Sequence, residues 1–419
     1  MAGDTYPGAA TPIGRTAWLL LATRLVRSVW QGALVVDFAL YLHALRWSAV
    51  AISAVLAAAL LVGAVLTMLL GPLSDRFGRR RFLLVYDAAQ GLAAAVAFLT
   101  AAPWPLAAAA VVGGFGRGGN GSAGPFAPVE QAWLAQCVPA ARRGMIYSLN
   151  AALGFVGMAA GAVLAGLPSW TGGAAPEAAA YRPLFALTAI LSVVTFALVA
   201  AAHDSESAPR PPAPGSAPGS GPVSTDDDAA ERRRENGLVG RLVLANLLNG
   251  AGLGLSGPLV TYWFALRFHH GPSAIGLMMA VGFLLAGAAS LLTGWLGRWL
   301  GIVRAVVAMR TLGLLLLVAL PFAKTFAVAG VLYVARTVLN RGTTGARSAL
   351  NVSIVRPSRR GFSSAASNVA LQIPRAIGPV LAGLMYESGF LALPFLAAAV
   401  FQTGYLWVYD RTFRNVTLR

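Results

Sequence analysis

Cysteine is nearly missing from this chain. Cys137 is the only one in 419 residues, which excludes a disulfide framework and a cysteine-built metal site. Charge is scarce too, at 11% of residues against about 25% in soluble proteins. Acids are scarcest, with 15 Asp and Glu facing 32 Lys and Arg for a net charge of +17. No phosphate-binding glycine loop followed by Lys-Ser or Lys-Thr is present, which excludes the usual ATP-driven machinery. There is no Ser-His-Asp set and no metalloprotease motif, so an enzyme is not expected. The neighbouring His269 and His270 have no carboxylate beside them, and neither a metal nor a cofactor is expected.

Apolar residues are abundant instead. They make up 57% of the chain, with a mean hydropathy of +0.68. Runs of about 20 apolar residues recur, each long enough to cross a bilayer as a helix. The pattern predicts an all-α polytopic membrane protein with twelve helices, at 17–44, 47–71, 82–102, 104–126, 144–167, 183–202, 238–266, 273–296, 304–323, 326–347, 362–385 and 389–409. The positive charge lies in short loops and forms no single basic face, so nucleic acid is excluded as a partner. Twenty basic residues fall in every second gap and only Arg46, Arg182, Arg267 and Lys324 in the others. That bias marks cytoplasmic loops and puts both termini on the cytoplasmic side of a plasma (bacterial inner) membrane.

The chain divides into 1–203, a flexible linker at 204–236 rich in Pro, Gly, Ser and clustered charge, and 237–419. The two flanking parts carry one pattern. Arg142-Arg143-Gly144 is followed by GAVLAGL from Gly161, and Arg359-Arg360-Gly361 by GPVLAGL from Gly378, at a displacement of 217 residues. Gly71, Leu73, Gly78 and Arg81 return as Gly294, Leu296, Gly301 and Arg304 at a displacement of 223. Parallel six-helix repeats are one architecture of secondary transporters.

The stretch GPLSDRFGRRR, from Gly71 through Asp75, Arg76, Gly78, Arg79 and Arg80 to Arg81, resembles the loop between the second and third helices of the major facilitator superfamily. Helix count, linker position and the weaker second copy extend the resemblance over nearly the whole chain. It implies two pseudo-symmetric six-helix bundles that rock about a midplane site. It also implies a cytoplasmic latch, with Asp75 partnered by the arginines of the loop. Glycines 71 and 78 are expected to permit the tight reversal. In helix five, Gly154, Gly157, Gly161 and Gly166 suit close helix packing and only partly match the family's antiporter signature.

A charge at mid-bilayer costs about 2.5–3.5 kcal/mol and points to function. Arg24, Arg27 and Arg347 sit near helix ends, where they are expected to snorkel. Arg117, Arg336 and Arg375 are deeper. By the resemblance, helices one, four, seven and ten line the cavity, so Arg117 and Arg336 should face each other across it. The expected substrate residues are Arg117, Asn120, Asn249, Arg336, Asn340, Gln372 and Arg375, with Trp30 and Tyr41. Asp37 is the deep acid on helix one and the expected proton carrier, modulated by Arg117. Asp87 and Arg310 hold equivalent places with exchanged sign, and each is expected to pair with loop charges; Glu130 is expected to answer Arg142 or Arg143. Three guanidiniums against one carboxylate imply an anionic solute, the alternative being that Arg117 and Arg375 bind backbone carbonyls or Asp37 and lock the bundle. The reading is a secondary transporter, proton-coupled and exporting, whose partners are a small molecule, protons and the bilayer, with no required protein partner. An exporter of cationic or neutral drugs and a non-transporting sensor are the alternatives.

Overall fold

The computed structural model describes residues 13–118, 124–139, 142–172, 177–203, 225–300, 302–343 and 360–413. They form helices α1 (Arg15–Ala44), α2 (Ala49–Phe77), α3 (Arg79–Leu99), α4 (Pro103–Gly113), α5 (Ala127–Gln136), α6 (Arg143–Leu164), α7 (Leu167–Gly172) and α8 (Arg182–Ala201). The second half holds α9 (Thr225–Ser256), α10 (Val260–Phe268), α11 (Pro272–Leu300), α12 (Ile302–Ala319), α13 (Phe326–Gly342), α14 (Arg360–Glu387) and α15 (Leu393–Phe413). There is no strand among the described residues.

Among those residues nine helical stretches are long and apolar enough to span a membrane. The remaining crossings are the two-piece α4–α5, the shorter α13 with Arg336 and Arg341, and α15, which carries Asp410 and Arg411. The twelve crossings fall into two bundles of six. In the first, the start of α1 meets the end of α8, where the Thr16 hydroxyl donates to the His203 carbonyl at 3.3 Å. In the second, the middle of α9, the start of α12 and the end of α15 share one apolar cluster around Val239, Val306, Tyr409 and Phe413.

Glycines bring helix backbones together at equivalent places in both halves. A Cβ at Gly161 of α6 would lie 1.8 Å from the Val29 carbonyl of α1, and one at Gly378 of α14 would lie 2.5 Å from the Gly254 Cα of α9. These two glycines open the repeated GAVLAGL and GPVLAGL, so helix five's glycines serve packing.

Three expected boundaries are wrong. Helix two runs on to Phe77 and the reversal to α3 uses Gly78 alone, at φ +88. Gly71 is inside the helix and turns nothing, because one residue beyond the reach of L side chains suffices. Helix seven begins at Thr225, inside the expected linker, and breaks after Ser256, where Pro258 has no N–H to continue the ladder. Helix four is not continuous over 104–126. It ends in a left-handed Gly114 (φ +63), and the Phe115 amide returns to the Ala110 carbonyl at 3.0 Å, a glycine stop. Gly116, Gly118 and Gly124 also have positive φ before α5 resumes.

Candidate functional site

Arg117 lies in the break of helix four. Its guanidinium folds back over Gly114 and against Gly63 of α2, so close that a Cβ at Gly63 would sit 2.3 Å from Nη1. Arg117 is 8% exposed, and neither Nη1 nor Nη2 has a hydrogen-bond partner among the described residues. Unmet buried donors of this kind are rare and call for an explanation.

The cavity Arg117 lines is a seam between the bundles. Leu60, Gly63, Ala64 and Thr67 of α2 form one wall; Gln372 and Arg375 of α14 form the other. Its volume is about 20 Å³, room for about one water, so the walls are closed on each other in this conformation. Arg375 Nη1 donates to Gln372 Oε1 at 3.4 Å, and its Nε has no partner among the described residues. Arg341 of α13 interacts electrostatically with Arg375. Its guanidinium also stacks over Phe283 at 4.9 Å and over Phe155 of the first bundle at 5.6 Å. No carboxylate among the described residues pairs with Arg117, Arg336 or Arg375.

The expected facing pair is therefore corrected. Arg375, not Arg336, lines the seam with Arg117. Arg336 Nη2 donates at 3.2 Å to Ser256 Oγ, at the break in helix seven. Both buried arginines on the crossings lined up by the repeat thus sit at or against a broken helix, the arrangement by which transporters expose backbone groups at mid-membrane. The runs GGFGRGGNGSAG and SGP carry that signal in the sequence.

The other expected residues separate into two interiors. Asn249 Oδ1 accepts from Arg310 Nη2 at 3.3 Å and from Gln402 Nε2 at 3.3 Å. Asn340 Oδ1 accepts from Arg310 Nη1 at 3.4 Å. These belong to a polar knot inside the second bundle, with Arg310 also over the Tyr405 ring. Trp30, Asp37 and Tyr41 are buried in the first bundle. Tyr41 packs on Tyr181 and Phe185 at 5.7 and 4.9 Å. Among the described residues both Asp37 oxygens lack a hydrogen-bond partner, and Tyr181 interacts with the carboxyl electrostatically. An anion left unpaired there would be costly. Asn120 and Arg347 lie outside the described residues.

Of the loop motif, the Asp75 side chain lies outside the described residues, and Arg76 and Arg81 are exposed. Arg79 Nη1 donates to the Ala132 carbonyl at 2.9 Å, and Arg80 Nη2 donates to the Ala200 carbonyl. In this conformation these two arginines fasten the α2–α3 turn to α5 and α8 of their own bundle.

One constellation escaped sequence reasoning. Arg27 does not snorkel: it is fully buried. Its guanidinium donates to both Asp87 oxygens at 2.9 and 3.0 Å and to Glu130 Oε2 at 2.6 Å, with the Phe126 ring 4.1 Å away. Asp87 and Glu130 therefore answer Arg27, not loop charges or Arg142 and Arg143. The triad ties α5, the second piece of helix four, to α1 and α3. Its members are 43 or more positions apart, so no local pattern reveals it.

The Major Facilitator Superfamily profile matches residues 18–236 and 242–415. An uncharacterized membrane protein of Saccharomyces cerevisiae, YJR124C, is 22% identical over 361 residues, covering 77% of each chain. Among solved structures, the nucleoside transporter NupG superimposes with a TM-score of 0.71 at 13% identity, covering 95% of this chain and all of that one. A bacterial homologue of the human lysosomal transporter Spinster, inward-facing and unoccupied, gives 0.70 at 14% identity over 97% and 98%. A D-xylose–proton symporter gives 0.63 at 15% over 93% and 96%.

Proposed function

Since the chain belongs to the Major Facilitator Superfamily, we propose that it is a secondary transporter that moves a small anionic solute, exchanging it for protons by alternating access. One observation carries the anion: buried Arg117, its terminal nitrogens unmet among the described residues, shares a seam between the bundles with Gln372 and Arg375, and no carboxylate among those residues answers either arginine. A guanidinium offers planar paired donors suited to carboxylate or phosphate. When the bundles rock apart, the seam opens, and a solute carrying negative charge would supply the missing partner to both walls.

Asp37 is the proton carrier in this reading. It is a buried carboxyl without an ion pair, so protonation spares it an unpaired charge. Arg117 then serves the solute and modulates the proton site. We read the direction as export, from the drug-exporter-like layout and partial antiporter signature. The basic gaps put both termini in the cytoplasm, which makes the face where α1 ends and α2 begins the external one.

Transport of labelled organic anions, cations and neutral metabolites into proteoliposomes, with and without an imposed pH gradient, tests the proposal. Arg375→Gln should weaken anion binding by about tenfold or more, as expected on losing one charge-assisted contact. Asp37→Asn should leave anion binding near the wild-type value and abolish its response to the gradient. Preferred transport of a cation, lost in Asp37→Asn and kept in Arg375→Gln, would instead establish the cation exporter.

A further inference from the structure

The bundles are joined at the face remote from the chain termini by contacts that the internal repeat relates to each other. On one seam, α2 of the first bundle begins beside the end of α14 of the second. Glu387 Oε2 accepts the Val50 amide at 2.9 Å, next to the Ser48 hydroxyl that caps Ala51. On the other seam, α11 of the second bundle begins beside α7, which follows α6 in the first. Ser169 Oγ accepts the Ser273 amide at 3.3 Å. Ser273 follows Val50 by 223 positions and Glu387 follows Ser169 by 218, close to the repeat displacements of 223 and 217. Each bundle thus offers a helix N-terminus to the other and receives a capping side chain from it.

Small residues let the same seams close one turn further in. A Cβ at Gly383 of α14 would fall 2.2 Å from Ser53 Oγ of α2, and one at Gly276 of α11 would fall 2.2 Å from the Ala162 carbonyl of α6. The first turn of a helix presents free amides and the positive end of its dipole, and a carboxylate there outbids a hydroxyl. The two caps are therefore alike in geometry and unequal in strength.

We infer that this reciprocal pair of helix-end caps is the latch that holds the remote face shut, and that Glu387 supplies most of its strength. Opening that face separates α2 from α14 and α11 from α6, so both amides must lose their acceptors together. The Ser169 cap is the weaker copy, and it becomes the stronger one if given a carboxylate. The inference rests on the alternating-access reading and not on the identity of the solute.

The test needs no solute. Spin labels at Glu177→Cys and Arg267→Cys, in a Cys137→Ser background, flank the seam on opposite bundles and report its opening as a distance in nanodiscs. Glu387→Ala should raise the long-distance fraction about fivefold, the effect of one exposed charge-assisted hydrogen bond. Adding Ser169→Asp to that variant should return the distribution to near wild type, because the charge then caps the equivalent helix. Melting temperatures within a few degrees of wild type establish that each variant is folded. A Glu387→Ala distribution that overlays wild type overturns the inference, and so does a double variant that stays open. Failure of anion transport with a working latch would sink only the proposed solute.

Discussion

At the scale of single residues, the buried arginines differ in what surrounds them, and their roles follow. Arg27 is matched by Asp87 and Glu130 and acts as a fastening. Asp87→Asn leaves Arg27 its pair with Glu130 but takes the charge from the acceptor of two of its hydrogen bonds, so it should lower unfolding free energy by about 2 kcal/mol, measured by steric-trap unfolding in bicelles. Arg117 is unmatched and held in place by the bare backbone of Gly63. Gly63→Ala needs only the far end of that side chain to shift. It should leave stability within about 0.5 kcal/mol, as for a change the structure can absorb, yet weaken anion binding about tenfold through the displaced guanidinium. Wild-type binding in Gly63→Ala would remove Arg117 from the solute site. Arg117, Arg336 and Arg375 are all buried and all stand out in the sequence, since a charge in an apolar run needs no fold to be noticed. The repeat sets Arg336 opposite Arg117, yet Arg336 turns to Ser256, because pseudo-symmetry relates helices but not the rotamers and breaks that aim each side chain.

At the scale of elements, glycine acts in two opposed ways. In α6 it removes side chains so that α1 can approach, and in helix four it stops the helix. Gly161→Ala pushes a methyl group into the Val29 carbonyl, a backbone atom that cannot step aside. A loss of about 2 kcal/mol or more is expected on overpacking grounds. Gly144→Ala, in the first turn of the same helix with nothing within 4 Å of the new methyl, should be neutral or stabilising by up to about 1 kcal/mol. Melting temperatures of the two variants side by side check the contrast. The glycines of α6 were legible as packing residues from their spacing. Those of helix four were not read as a stop, because its apolar content satisfied the length of a span; density of glycine with Pro125 behind it is the cue that decides.

At the scale of the molecule, the remote face is where the bundles meet most visibly, His43 of α1 lying 5.2 Å from Tyr262 of α10 ring to ring, and Tyr262 6.3 Å from Tyr386 of α14. Joining His43→Cys to Tyr262→Cys with a short bifunctional thiol reagent, after Cys137→Ser, should cut transport at least about tenfold and reversibly, since alternating access needs that seam to part. Uninterrupted flux in the joined protein would mean that the seam is static. The sequence alone determined the solvent, the number of crossings, the repeat and the family, because each is written in local composition or in matches along the chain, and hydrocarbon leaves a spanning backbone few choices. Only the tertiary structure decided which charges come together: Arg27 with Asp87 and Glu130, Arg117 and Arg375 along one seam, and Glu387 with the start of α2. Those partners are brought together from distant positions by packing, and electrostatic energy depends on the few ångströms that packing sets.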